Sequence, residues 1–195
     1  MIYFWSMRIS LALFAPFFLL SALASGAEEP DPRYVLGFEM KRLDGRKQSL
    51  GDYGGQVLLM VNVASKCGLT PQYEALEALH ERYRVRGFSV LGFPANDFAG
   101  QEPGTDAEIA EFCRATYGVE FPMFSKITVK GDGQHPLYQK LTGLPEPIGG
   151  EVEWNFQKYL VNRKGEVVAR FAPRTAPDDP ALVAQLKALL AESPF

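Results

Sequence analysis

The two cysteines, Cys67 and Cys113, carry the most reactive side-chain chemistry in this 195-residue chain. Cys67 lies in VNVASKCGLT, between an apolar run and the start of an amphipathic segment. A thiol there could be buried filler, half of a disulfide, a metal ligand or a nucleophile. No second cysteine stands within the same loop, which disfavours a C-x-x-C disulfide exchanger. The two histidines, His80 and His135, have no metal-ligand spacing to it. His80 falls between Leu79 and Glu81-Arg82, as a half-exposed helix residue would, and His135 precedes Pro136, as a turn or cap residue would. Two cysteines in an exported chain also invite a structural disulfide, although a domain of this length folds without one.

The surrounding elements argue for reactivity. VLLMVNVAS (57–65) is a continuous apolar run after Gly54-Gly55, the pattern of a strand buried on both faces. Thr70 suits a helix cap and Pro71 a first helical position. Tyr73, Leu76, Leu79 and Tyr83 recur at helical spacing up to Gly87. FSVLGFPAN (88–96) is a second buried strand, which completes a parallel β-α-β unit. In open α/β sheets, ligands bind beyond the carboxyl ends of the strands. Cys67 lies there, ahead of a helix N-terminus and beside Lys66, where dipole and charge favour a thiolate, the nucleophilic form.

The remaining elements complete an α/β domain. Asp44-Gly45 marks an N-terminal hairpin. TDAEIAEFCRATYG (105–118) is a helix opened by a Thr105/Glu108 capping box, with Ile109, Phe112 and Cys113 on one face. A short helix surrounds Tyr138. KYLVNRKGEVVARF (158–171) is a hairpin turning near Arg163–Gly165, and Asp179-Pro180 opens a last helix with a leucine-rich stripe. This order predicts a central mixed sheet flanked by helices and preceded by a β-hairpin, the arrangement of the thioredoxin-like fold.

At the N-terminus, Arg8 precedes the apolar block Ile9–Ala24 and the small-x-small pattern Ser25-Gly26-Ala27. This reads as a secretory signal over residues 1–27, with one domain over 28–195, exported to the periplasm or secreted. The block is short for a spanning helix and contains Pro16, so the mature form is expected to have no membrane segment. Of 20 Lys and Arg, Arg8 leaves with the signal; against 23 Asp and Glu the mature net charge is −4. That balance gives no reason to expect a nucleic-acid or anionic-membrane partner.

Three segments settle the choice: VNVASKCGLTPQYEALEALHERY, LGFPANDFAGQEPG and WNFQKYLVNRKGEVVARF. Together with EFPMFSKITVKGDGQHPLYQKL between the second and third, they resemble the glutathione peroxidase family from about Val35 to Ala191. The resemblance implies a thioredoxin-like fold and reduction of hydrogen peroxide and organic or lipid hydroperoxides by a peroxidatic residue, here Cys67. It also implies that Gln101, Trp154 and Asn155 complete a catalytic set. Their neutral amide and indole donors can stabilise charge developing in the transition state without adding net charge. The expected product is a sulfenic acid on Cys67, returned to the thiol by glutathione or a thioredoxin-type protein. No prosthetic group or metal is implied. Asn96, Phe98 and Pro103 are expected to organise the turn before the site.

Two departures bear on the reductant. The family's frequent F-P-C-N-Q-F reads F-P-A-N-D-F here, with Ala95 in place of a cysteine. Thioredoxin-dependent members carry a resolving cysteine in the helix after Q-E-P-G. Its matching position is Arg114, one residue beyond Cys113, and one residue rotates a helical side chain by about 100°. Cys113 is therefore either the resolving cysteine or buried filler. The short TGLPEPIGGEVEWN segment resembles the monomeric members. A peroxiredoxin-type enzyme is disfavoured, because the residues before Cys67 lack P-x-x-x-T-x-x-C. A thioredoxin-like redox sensor or partner-binding module without sustained turnover is the remaining alternative.

Overall fold

The structure is a computed structural model that describes residues 1–3 and 31–193. Apart from residues 1–3, the expected signal segment and its cleavage point lie outside the described residues.

A two-stranded hairpin, β1 (Glu39–Lys41) and β2 (Lys47–Ser49), precedes the central sheet. Gly45 turns it at φ 86°, where a side chain would be strained. Next come β3 (Val57–Val63), α1 (Gln72–Tyr83), β4 (Phe88–Pro94) and α2 (Asp106–Tyr117). They are followed by α3 (Pro136–Thr142), β5 (Lys158–Val161), β6 (Val167–Phe171) and α4 (Pro180–Ala191). The sheet order is β4-β3-β5-β6, with β4 parallel to β3 and the other two neighbouring pairs antiparallel. This is the expected thioredoxin-like arrangement with its N-terminal hairpin.

Alternation along the strands divides the core in two. Leu58 and Met60 of β3 face one apolar layer with Leu137, Tyr138 and Leu141 of α3. Leu59, Val61 and Val63 face the other, formed by Tyr73, Leu76 and Leu79 of α1, Ile109 and Cys113 of α2, and Leu182 and Leu186 of α4. All seven residues of β3 are buried, as its unbroken apolar run requires.

The caps follow local rules. Thr105 and Glu108 form the capping box of α2, and Asp179 accepts from Ala181 and Leu182 at the start of α4. His135 caps α3 by accepting the Leu137 N–H, while half-buried His80 accepts from Val90 N–H at 3.4 Å. One expectation is corrected. Thr70 does not cap α1; Pro71 occupies the cap, and the helix starts at Gln72. The Thr70 hydroxyl is used elsewhere: it donates to Ala64 O at 2.8 Å and accepts from Cys67 N–H at 2.9 Å. β3 also stops at Val63 rather than at 65, because Ser65 N–H bonds to Glu102.

Leu59, fully buried between β3 and the α1 layer, is a direct probe of this packing. Leu59→Ala is expected to lower stability by about 2–5 kcal/mol, measured by urea denaturation.

Candidate active site

Cys67 sits beyond the carboxyl end of β3, at the head of a run of tight turns leading into α1. Thr70 N–H bonds to Cys67 O, Gln72 N–H to Leu69 O and Tyr73 N–H to Thr70 O. The thiol is therefore several residues upstream of the first helical residue rather than on the cap. Its sulfur accepts the Leu69 N–H at 3.4 Å. The side chain is only 8% exposed, yet it lines an open cleft of about 670 Å³ together with Gly68, Gln101, Trp154, Pro173 and Arg174. A small oxidant can reach it without opening the fold.

Gln101 and Asn155, 54 positions apart, meet here. Asn155 Nδ2 donates to Gln101 Oε1 at 2.9 Å. That bond occupies the acceptor end of the Gln101 amide and leaves its N–H donors for the cleft. Trp154 also lines the cleft. It is 38% exposed, with its ring tilted against Phe98 at a centroid distance of 5.3 Å, so it is a wall of the site rather than a core aromatic. Of the expected set, Cys67, Gln101 and Trp154 line this cleft, and Asn155 is fully buried behind it, joined to it through Gln101.

The backbone is strained at two points beside these residues. Ala99 has φ 53° just before Gln101, and Phe156 has φ 67° just after Asn155. Non-glycine residues in this region cost on the order of 1 kcal/mol or more and persist only where their surroundings hold them. Asn96 Oδ1 holds the first turn by accepting Glu102 N–H at 2.8 Å, as expected of that residue. Asn62 holds the second turn twice: its carbonyl accepts Phe156 N–H at 2.6 Å, and its side chain donates to Trp154 O at 3.0 Å.

Sequence reasoning missed Asn62 and Glu102. Glu102 is 1% exposed; its carboxylate accepts both the Ser65 N–H, at 2.9 Å, and the Ser65 hydroxyl, at 3.0 Å. Burial raises its pKa, against the opposing pull of the Ser65 bonds. It ties the Cys67 loop to the Gln101 loop, and Lys66 N–H to Gln101 O at 3.0 Å adds a second tie. A polar residue inside the apolar run VLLMVNV was the available signal for Asn62. Glu102 gave no signal beyond its place in the QEPG motif.

Cys113 does not join this cleft. It is 2% exposed on α2 and borders a different cavity, with Arg42, Phe121 and Met123. Burial pushes its thiol pKa up to about 11. The Tyr73 hydroxyl lies close to its sulfur, but no hydrogen bond of good geometry joins them. Both cysteines are free thiols. Among the described residues no cluster of His, Cys, Asp and Glu is arranged to hold a metal, and no helix is long and apolar enough to cross a membrane.

The family model for glutathione peroxidase matches residues 35–142. The thioredoxin/glutathione peroxidase BtuE of Escherichia coli is 47% identical over 179 residues, 81% of this chain and 98% of that protein. A hydroperoxy fatty acid reductase of Synechocystis is 47% identical over 163 residues, 80% of this chain and 95% of that protein. Among solved structures, T. cruzi GPX1 superposes with a TM-score of 0.65 at 34% identity, covering 80% of this chain and 96% of its own.

Removing the Glu102 tie leaves the Ser65 N–H without its buried acceptor. Glu102→Ala is expected to cost about 1–3 kcal/mol, read as a lower midpoint in thermal unfolding.

Proposed function

From the premise that this chain belongs to the glutathione peroxidase family, we propose that Cys67 is its peroxidatic residue, with Gln101, Trp154 and Asn155 as the donors around it. The chain is a thiol-dependent peroxidase. The observation that supports the residue assignment is the bond from buried Asn155 to Gln101, which lines the same cleft as Cys67 and Trp154. The Cys67 thiolate attacks one oxygen of a hydroperoxide, forming an S–O bond as the O–O bond breaks. The sulfur becomes a sulfenic acid, and the expelled hydroxide or alkoxide takes up a proton to leave as water or alcohol. The amide donors and the Trp154 indole stabilise the negative charge that moves onto the departing oxygen.

A thiol reductant then condenses with the sulfenic acid, releasing water and leaving a mixed disulfide. A second thiol releases Cys67 and leaves as the disulfide. The burial of Cys113, its raised pKa and its separate cavity favour direct attack by an external thiol of the glutathione type. Reduction through a Cys67–Cys113 disulfide by a thioredoxin-type protein would require α2 to open. The proposed substrates include organic and lipid hydroperoxides, by analogy with the reductase of hydroperoxy fatty acids. The mature chain is proposed to be residues 28–195, exported, monomeric, free of the membrane and without a prosthetic group.

Cys67→Ser is expected to abolish peroxide consumption. Gln101→Ala and Asn155→Ala are expected to slow Cys67 oxidation by about 10- to 1000-fold while the fold is kept, measured by stopped-flow. Cys113→Ser is expected to keep full turnover with glutathione; full turnover with thioredoxin as well would rule out the resolving role, and loss of the thioredoxin-supported rate alone would favour it. With Trp5 in the expected signal, Trp154 is the single tryptophan of the mature chain. Its emission is expected to change when Cys67 is oxidised, and identical spectra of reduced and peroxide-treated protein would count against their proximity.

A further inference from the structure

Lys158 is fully buried at the start of β5, and the mechanism above does not use it. Strand alternation places it with Leu160 on the α1 and α4 side of the sheet, opposite Tyr159. Its neighbours across the sheet are Val61 of β3 and Phe171 of β6. Among the described residues its ammonium has no ion-pair partner. Nζ donates to two backbone carbonyls, Phe156 O at 2.6 Å and Pro173 O at 3.2 Å. Gln72, at the start of α1, donates to the same Pro173 carbonyl at 2.9 Å.

These two acceptors matter because of where they lie. Phe156 is the left-handed residue that follows Asn155. Its N–H is held by Asn62 and its C=O by Lys158, so both polar groups of the strained residue are fixed. Pro173 lines the Cys67 cleft, beside Arg174. One amine therefore bridges the turn that carries Asn155 and a segment that lines the Cys67 cleft.

We propose that Lys158 is a positioning residue of the peroxidase site: through Phe156 O and Pro173 O its charged amine holds Asn155 and the 172–174 wall in place around Cys67. The inference rests on the peroxidase reading of Cys67. It adds a sensitivity to proton concentration. Bonds from a charged amine are roughly twice as strong as those from a neutral one, so losing the proton loosens the clamp. Burial lowers the Lys158 pKa to about 7, within the range where the enzyme is assayed. Its cross-strand neighbours Val61 and Phe171, and Gln72 on the shared Pro173 carbonyl, carry no charge, and the titratable groups of the cleft wall are Cys67, Glu153 and Arg174.

The depressed value also fixes a sign for stability. Between pH 7 and about 10 the unfolded chain holds the Lys158 proton more tightly than the folded one, so this residue makes stability rise with pH across that window.

The test compares the wild-type chain with Lys158→Met, which keeps length and removes the charge. The substitution removes the donor to Phe156 O, a loss set against no longer burying an ammonium, so the rate is read together with thermal unfolding of the same variant. The rate of Cys67 oxidation by hydrogen peroxide is measured in single turnover at pH 6 and pH 9. The expected result is a rate about tenfold below wild type at pH 6 and a deficit that narrows to less than about threefold at pH 9. Lys158→Met should also lose the rise in stability between pH 7 and about 10. Equal rates at pH 6, or one deficit at both pH values, would overturn the proposal. Should Lys158→Met not fold, the Asn155 side-chain amide resonance of the wild type decides. A shift with a midpoint near pH 7 supports the clamp, and a resonance that stays put from pH 6 to pH 9 overturns it. The two readings fail separately. A Cys67→Ser chain that still consumes peroxide defeats the peroxidase assignment; an inactive Cys67→Ser beside a fully active Lys158→Met defeats only the role of Lys158.

Discussion

Gln101 is the joint on which the site depends. Its carbonyl accepts the Lys66 N–H, next to Cys67, and its side chain accepts from Asn155. One residue thereby connects three segments that are remote in the chain: the loop after β3, the loop after β4 and the turn before β5. Glu102 reinforces the first connection through Ser65, and Asn62 reinforces the third through Trp154 and Phe156. The sheet supplies rigid strand ends, and these few bonds convert that rigidity into a fixed geometry around a sulfur.

The geometry also separates the two thiols by environment. Cys67 is nearly as buried as Cys113, but it borders an open cleft and receives an N–H donor. Cys113 is packed into the α1–α2 layer, where burial disfavours its charged form. Only the first has both access to a small oxidant and neutral donors near the cleft. This division accounts for a chain that keeps two free cysteines without pairing them.

The fold was legible because its cues are local. The apolar runs of β3 and β4, the Thr105/Glu108 box, Asp44-Gly45 and Asp179-Pro180 each specify an element without distant partners. Cys67 was legible from its place past the end of β3, whereas Gln101 and Asn155 were legible only through the family's motifs, since by type they read as ordinary loop residues. What stayed hidden depends on contacts between distant segments. Thr70 has the chemistry of a cap, yet Ala64 and Cys67 claim its hydroxyl. Glu102 and Lys158 are charged residues whose burial follows from carbonyls, hydroxyls and N–H groups supplied by other elements. In hindsight, the polar residue interrupting an apolar strand, Asn62 in β3 and Lys158 in β5, was the signal to follow.

The central claim is that the sulfur of Cys67, and not that of Cys113, meets the peroxide. The most direct measurement is peptide mass spectrometry of the reduced protein after one equivalent of hydrogen peroxide, with dimedone present throughout to capture sulfenic acid. The account predicts a single adduct on the peptide carrying Cys67 while Cys113 remains a thiol. An unmodified Cys67, or an adduct that appears first on Cys113, would contradict it.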